Sequence, residues 1–222
     1  MAMHLRTVRI VVAAIIVLAA AGCAPEASDG PDQMHSNAPY DTASVATAAP
    51  ETQEETMLHV SETVVSGSEI GVIETSKGTV KVEFYAADAP NTVASFIELA
   101  DAGFYNGLKF HRVVPRFVVQ GGDPLTRTLT TQDLQTGVGG AGTGGPGWNQ
   151  KAEFNDRKHV VGTLAMARSQ HPDSAGSQFY ICLEPQPGLD GQYTVFGQVI
   201  EGMDIVSTIQ VGDVIESITI ER

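Results

Sequence analysis

The residues best placed to do chemistry lie between Phe110 and Asp123, in the run Phe-His-Arg-Val-Val-Pro-Arg-Phe-Val-Val-Gln-Gly-Gly-Asp. It sets a guanidinium (Arg112), a carboxamide (Gln120) and a phenyl ring (Phe117) in a segment otherwise fit for a buried β-strand. Charged groups seldom enter such runs unless something pairs with them. Pro115 interrupts the ladder, since it has no N–H to give. Such a segment suits the lining of a groove. It equally suits an edge strand whose Arg112 points into water. The chemistry on offer is that of a fixed cationic donor, because Arg stays charged and presents a rigid fork of N–H groups. Other chemistries lack their residues. Ser177 in Ala-Gly-Ser-Gln is no hydrolase elbow, as no glycine follows two positions later. The six histidines form no spaced set with Cys or carboxylates that would hold zinc. The glycines of 137–147 are not a phosphate cradle, since no Gly-Lys-Ser/Thr closes them.

Two further blocks decide what the groove is for. One reads Gly162-Thr-Leu-Ala-Met-Ala-Arg-Ser169, followed by Ser174-Ala-Gly-Ser-Gln-Phe-Tyr-Ile181. The other reads Leu189-Asp-Gly-Gln-Tyr-Thr-Val-Phe-Gly-Gln-Val199. With the Phe110–Asp123 run, and in this order, they resemble the cyclophilin family of peptidyl-prolyl cis-trans isomerases over residues 68–222. The resemblance implies an isomerase that needs no cofactor and no metal, acting on proline-containing polypeptides. It implies that Arg112 is the catalytic arginine and that Gln120 and Gln178 orient it and the substrate carbonyl. Phe117, Val118, Met166, Tyr180 and Leu189 would line a proline pocket, with Ala167 and Arg168 binding the peptide, Arg168 through its main chain. Tyr193 stands where eukaryotic members often have His. Tyr180 stands where Phe is usual, Val118 where Met is often found, and Gly188 where the eukaryotic cytosolic type has Trp, which implies weak cyclosporin inhibition. The other readings are a proline-peptide binding module that keeps the groove without turnover, and an envelope scaffold that uses the tether and an outer barrel face.

These side chains must be held by a small set of elements. Ile70–Thr75 and Thr79–Phe84 alternate and are rich in β-branched residues, which predicts a hairpin about Ser76-Lys77-Gly78. Val93, Phe96, Ile97 and Ala100 fall on one stripe of a helix, with Asp88 as its N-cap, Pro90 in its first turn and Gly103 closing it. A second helix is expected over Met203–Gln210 and a closing strand over Ile215–Ile220. The pattern predicts a mainly β, antiparallel domain. The resemblance makes it a closed eight-stranded barrel capped by two α-helices. Cys182, inside Phe-Tyr-Ile-Cys-Leu, reads as a small buried hydrophobe.

Charge divides the chain of 222 residues, which carries a formal −13. Residues 1–22 hold Arg6, Arg9 and no acid; residues 23–67 hold eight acids and no Lys or Arg. An acidic chain without a basic stripe is a poor partner for nucleic acid. The apolar run Ile10–Ala21 behind Arg6 and Arg9 is too short to span a bilayer, which takes about 20 residues, and reads as a signal peptide over 1–22. Its end, Ala20-Ala21-Gly22-Cys23, resembles the lipobox of bacterial lipoproteins, implying lipid on Cys23. Residues 23–67 then form a disordered acidic tether, too poor in apolar residues to offset the entropy of ordering. The domain follows over 68–222. The expectation is an isomerase outside the cytoplasm, anchored to the bacterial envelope membrane by its lipid alone. Nothing in the sequence demands more than a monomer.

Overall fold

The computed structural model describes residues 58–222. The proposed signal peptide, Cys23 and most of the tether lie outside these residues.

The hairpin forms where the alternation places it. β1 (Ile70–Thr75) pairs antiparallel with β2 (Gly78–Phe84), with Thr75 opposite Gly78. The helix α1 (Pro90–Asp101) follows, then the short strands β3 (Leu108–Lys109), β4 (Arg112–Val114) and β5 (Val118–Gly121). A 3-10 turn (Pro124–Arg127) and a helix α2 (Thr131–Thr136) lead through the glycine-rich loop to β6 (Thr163–Met166). β7 (Phe179–Cys182), β8 (Val195–Glu201), α3 (Met203–Val206) and β9 (Val214–Glu221) complete the domain. All strand pairs are antiparallel.

The mainly β architecture agrees with the sequence reading, but the closed eight-stranded barrel does not form. The nine strands make one curled sheet in the order β3-β9-β1-β2-β8-β6-β7-β5-β4, and no ladder joins β3 to β4. The physical reason is that both edges belong to one stretch of chain. The Phe110 N–H donates to Asp213 O on the β9 side, and the next N–H, of His111, donates to Gln120 O on the β5 side. The segment 108–114 therefore passes from one edge of the sheet to the other in two residues, and consecutive pieces of an extended segment cannot pair with each other.

The core lies on one face of this sheet, under α1. Val93, Phe96, Ile97 and Ala100 are buried as their spacing predicts. The Phe96 ring sits 5.0–5.6 Å from the rings of Phe84, Tyr105, Phe179 and Phe196. Burying one such ring contributes about 1.5–3 kcal/mol. The start of α1 departs from expectation. Asp88 does not cap it; the N-cap is Ala89, with no side-chain bond. The orphan N–H groups of Asn91 and Thr92 instead donate to the two oxygens of Glu153 at 3.0 and 2.7 Å. Asp88 is drawn off by Arg157, 2.8 Å away.

The second expected helix is cut to the four residues of α3, although Ile209 beyond it remains buried. α2 went unforeseen, yet its signals are local: a Thr130–Asp133 capping box at one end and Gly137 at φ +74° at the other. His59, within the stretch that composition assigns to the tether, packs on the domain. Its ring stacks on Trp148 at 3.9 Å and contacts Glu98 at 3.1 Å. Among the described residues no helix is long and apolar enough to cross a membrane.

Candidate active site

The segment read as one interrupted strand is a hairpin. Pro115 sits in the turn between β4 and β5, where the missing N–H costs nothing, and Arg116 takes the left-handed conformation at φ +63°. Folding back there sets Arg112 directly opposite Gln120, and Gln120 opposite Tyr180 on β7. Residues opposite each other in a sheet share a face, so a spacing of eight in sequence becomes contact in space.

On that face, opposite the main core, Val118, Ala165, Tyr180, Cys182 and Val195 form a second apolar cluster. A cleft of about 250 Å³ opens on it, lined by Arg112, Phe117, Val118, Gln120, Ala167, Arg168, Tyr180, Leu189 and Tyr193. Nine of the predicted site residues thus meet in one place. Gln178 stands next to it, in a neighbouring hollow of about 560 Å³ that shares Gln120, Ala167 and Arg168 with the cleft. Met166 does not line the cleft. Strand parity turns Met166 and Leu164 toward the main core and leaves Ala165 and Ala167 on the cleft side. The neighbouring hollow also takes in Trp148, Asn149 and Thr143, which sequence reasoning missed because they come from the loop whose path no pattern foretold.

The polar groups form a directed chain. Arg112 Nη1 donates to Gln120 Oε1 (3.4 Å), Gln120 Nε2 to Gln178 Oε1 (3.1 Å), and Gln178 Nε2 to Gly144 O (2.8 Å). Each amide accepts on oxygen and gives on nitrogen, so one orientation satisfies the row. The Arg112 guanidinium lies over the Phe117 ring, 5.4 Å from its centroid, and among the described residues its other N–H groups have no hydrogen-bond partner. Arg168, in contrast, spends its side chain on the carbonyls of Gln192, Ser169 and Gln170, over the ring of Tyr193.

Proton chemistry is poorly served here. Burial holds the His111 pKa below its usual value, which keeps the ring beside Arg112 neutral, and burial pushes the Tyr180 phenol up. The free thiol of Cys182 is buried and raised to about 12, first by that burial. Among the described residues no group of three or more His, Cys, Asp or Glu is placed to hold a metal ion. A slot floored by apolar side chains, with a cationic donor at its rim, can seat an apolar ring and stabilise charge that develops beside it.

Comparison with known proteins places that geometry. The family described as cyclophilin type peptidyl-prolyl cis-trans isomerase matches residues 71–222. A peptidyl-prolyl cis-trans isomerase of Synechococcus elongatus is 46% identical over 151 residues, covering 67% of this chain and 94% of that protein. Peptidyl-prolyl cis-trans isomerase B of Bacillus subtilis is 44% identical over 144 residues, covering 64% of this chain and 90% of its own. Among solved structures, a cyclophilin-type isomerase of Cryptosporidium parvum crystallised in the presence of the dipeptide Ala-Pro superposes with a TM-score of 0.58. It is 29% identical and covers 69% of this chain and 99% of that one. The chain belongs to the cyclophilin-type peptidyl-prolyl cis-trans isomerases, and its enzymatic activity is the rotation of X–Pro peptide bonds.

Proposed function

We propose that the cleft is where this enzyme binds proline, that Arg112 drives the rotation, and that the enzyme works on exported proteins from a lipid anchor at Cys23. Rotation about an X–Pro bond must break C–N resonance, a barrier of about 18–20 kcal/mol. No bond is made or cut, so catalysis consists of binding the twisted amide better than either planar form. Phe117, Val118, Tyr180, Leu189 and Tyr193 would hold the pyrrolidine ring while the acyl side turns. As the prolyl nitrogen becomes pyramidal and regains its lone pair, Arg112 would donate to it. A 10⁵-fold acceleration asks for about 7 kcal/mol of such differential binding.

The observation that carries this reading is the chain Arg112–Gln120–Gln178, which sets a permanent cation at the lip of a cleft floored by apolar side chains. The Ala-Pro dipeptide named with the Cryptosporidium relative supports a proline peptide as the ligand here. The location rests on the leader: two arginines, a short apolar run and Ala20-Ala21-Gly22-Cys23. A single acyl chain binds a membrane only marginally, so lasting attachment needs the several chains of a mature lipoprotein. Metabolic labelling with palmitate tests the anchor: wild type should take up label and Cys23→Ser should not. Full labelling of the serine variant rejects the anchor. For the site, the wild-type enzyme should accelerate isomerisation of an Ala-Pro peptide, and that rate should collapse in Arg112→Ala.

A further inference from the structure

Two walls of the cleft come from separate pieces of chain. Tyr180 is on β7, whereas Leu189 ends the 3-10 turn Pro187–Leu189. His159 joins them from beneath, without lining the cleft itself, and its side chain is fully buried at 0% exposure. It grips both ends of the turn that carries Leu189: its carbonyl accepts from Gln186 N at 2.8 Å, and its own N–H donates to Asp190 Oδ1 at 2.9 Å. The ring then spans the gap. Nδ1 meets Asp190 Oδ1 at 3.0 Å, and Nε2 meets the Tyr180 hydroxyl at 3.0 Å.

The proton positions follow from the partners. The His159 amide and ring, helped by Lys158, hold the Asp190 carboxyl below its ordinary value, so it is ionised and can only accept. Nδ1 therefore donates to Asp190, and the tautomer with its single proton there leaves Nε2 as an acceptor. The Tyr180 hydroxyl, which burial keeps protonated, donates to it. Tyr180 is thus tied at its para oxygen, with its ring edge-on to Tyr193 at 5.8 Å. A phenylalanine would fill the same wall with no tie.

We infer that His159 is a positioning residue that sets the width of the proline cleft, coupling the Tyr180 wall to the Leu189 wall so that the five-membered proline ring is favoured over a larger cyclic imino acid. The inference rests on the cleft being the proline site. Its substrate pair is a peptide with proline and the same peptide with pipecolic acid, the six-membered homologue. Isomerisation of both is measured by NMR exchange on the whole protein.

His159→Asn keeps an amide near the place of Nδ1 and gives up the reach to Tyr180. Combined with Tyr180→Phe it leaves no buried hydroxyl unpaired, so this double variant should melt within a few degrees of wild type. Its kcat/KM preference for proline over pipecolic acid should nevertheless fall about five- to tenfold, the worth of one buried hydrogen bond, chiefly through KM for proline. His159→Gln, whose amide reaches the place of Nε2, should keep the preference within about twofold of wild type. A folded double variant with the preference unchanged overturns the inference. Should the double variant not fold, Tyr180→Phe alone removes one oxygen and decides the matter by the same criterion. Arg112→Ala, run alongside, separates the two failures. If it abolishes turnover while the preference stays unmoved in the His159 and Tyr180 variants, only the role of His159 falls. If it leaves both turnover and affinity for an Ala-Pro peptide intact, and Tyr180→Phe moves neither, the cleft is not the proline site and both fall.

Discussion

Arg112→Ala is the sharpest perturbation, because the two parts of its effect can be sized apart. The guanidinium stands on an exposed strand position, with one N–H on Gln120 at 3.4 Å, long enough to be weak. On the proposed mechanism its remaining donors, unpartnered among the described residues, would meet the prolyl nitrogen as charge gathers there. A preorganised donor aimed at developing charge is worth about 10²–10³ in rate. Partial exposure to water argues for the low end, so turnover should fall about 100-fold.

Binding should suffer far less. What it loses is the steadying of Phe117 by the guanidinium, 5.4 Å from the ring centroid; such a contact at an exposed site amounts to about 0.5–1 kcal/mol, which caps the drop in affinity at roughly two- to fivefold. Arg112→Lys keeps the charge but not the fork that reaches Gln120 and substrate together, and should recover no more than about a tenth of the lost rate. The assays are protease-coupled isomerisation for turnover and titration calorimetry with an Ala-Pro peptide for affinity. Equal losses in the two would mean that Arg112 only holds the peptide. Turnover within threefold of wild type would remove it from the mechanism.

Three further outcomes follow from the packing. Gly122, at φ +88°, lies where an added Cβ would run into the Ser177 carbonyl oxygen; Gly122→Ala should cost at least about 2 kcal/mol in chemical denaturation, and a smaller loss would show that β5 can shift to admit it. Glu153→Ala strips two N–H partners from the start of α1 and should destabilise by about 1–2 kcal/mol; an unchanged midpoint would mean that water replaces the carboxylate. Burial raises the Glu69 pKa, but bonds from Ser66 N, Ser66 Oγ and Gly67 N outweigh it and bring it from 4.5 down to about 2. The ionised form is favoured by folding, so its contribution is full above about pH 4.5 and is lost as pH falls toward 2. The stability gap between wild type and Glu69→Gln should narrow across that window, and a gap that stays constant would contradict the shift.

Local pattern carries as far as faces and elements go. The alternation of Ile70–Phe84 specifies its hairpin, and the stripe Val93–Ala100 specifies which side of α1 is buried, because both depend on neighbours one or two turns away. The Arg112 and Gln120 pair was legible as an anomaly in an apolar run, and the ordered blocks around it named the family. The same blocks placed Met166 in the pocket, although strand parity, available in the sequence once Ala165 and Ala167 are set facing the cleft, turns it to the core. The capping box of α2 was equally readable and passed over.

What a single chain of letters could not disclose is which distant groups meet. Glu153 displaces Asp88 at the head of α1 from 62 residues away. His159 finds Tyr180 and Asp190 across 21 and 31 residues. The sheet stays open because one segment serves both its edges. Residue type and short spacing determine what each side chain can do; register and loop path, which emerge only from the sum of long-range packing, decide which of them do it together.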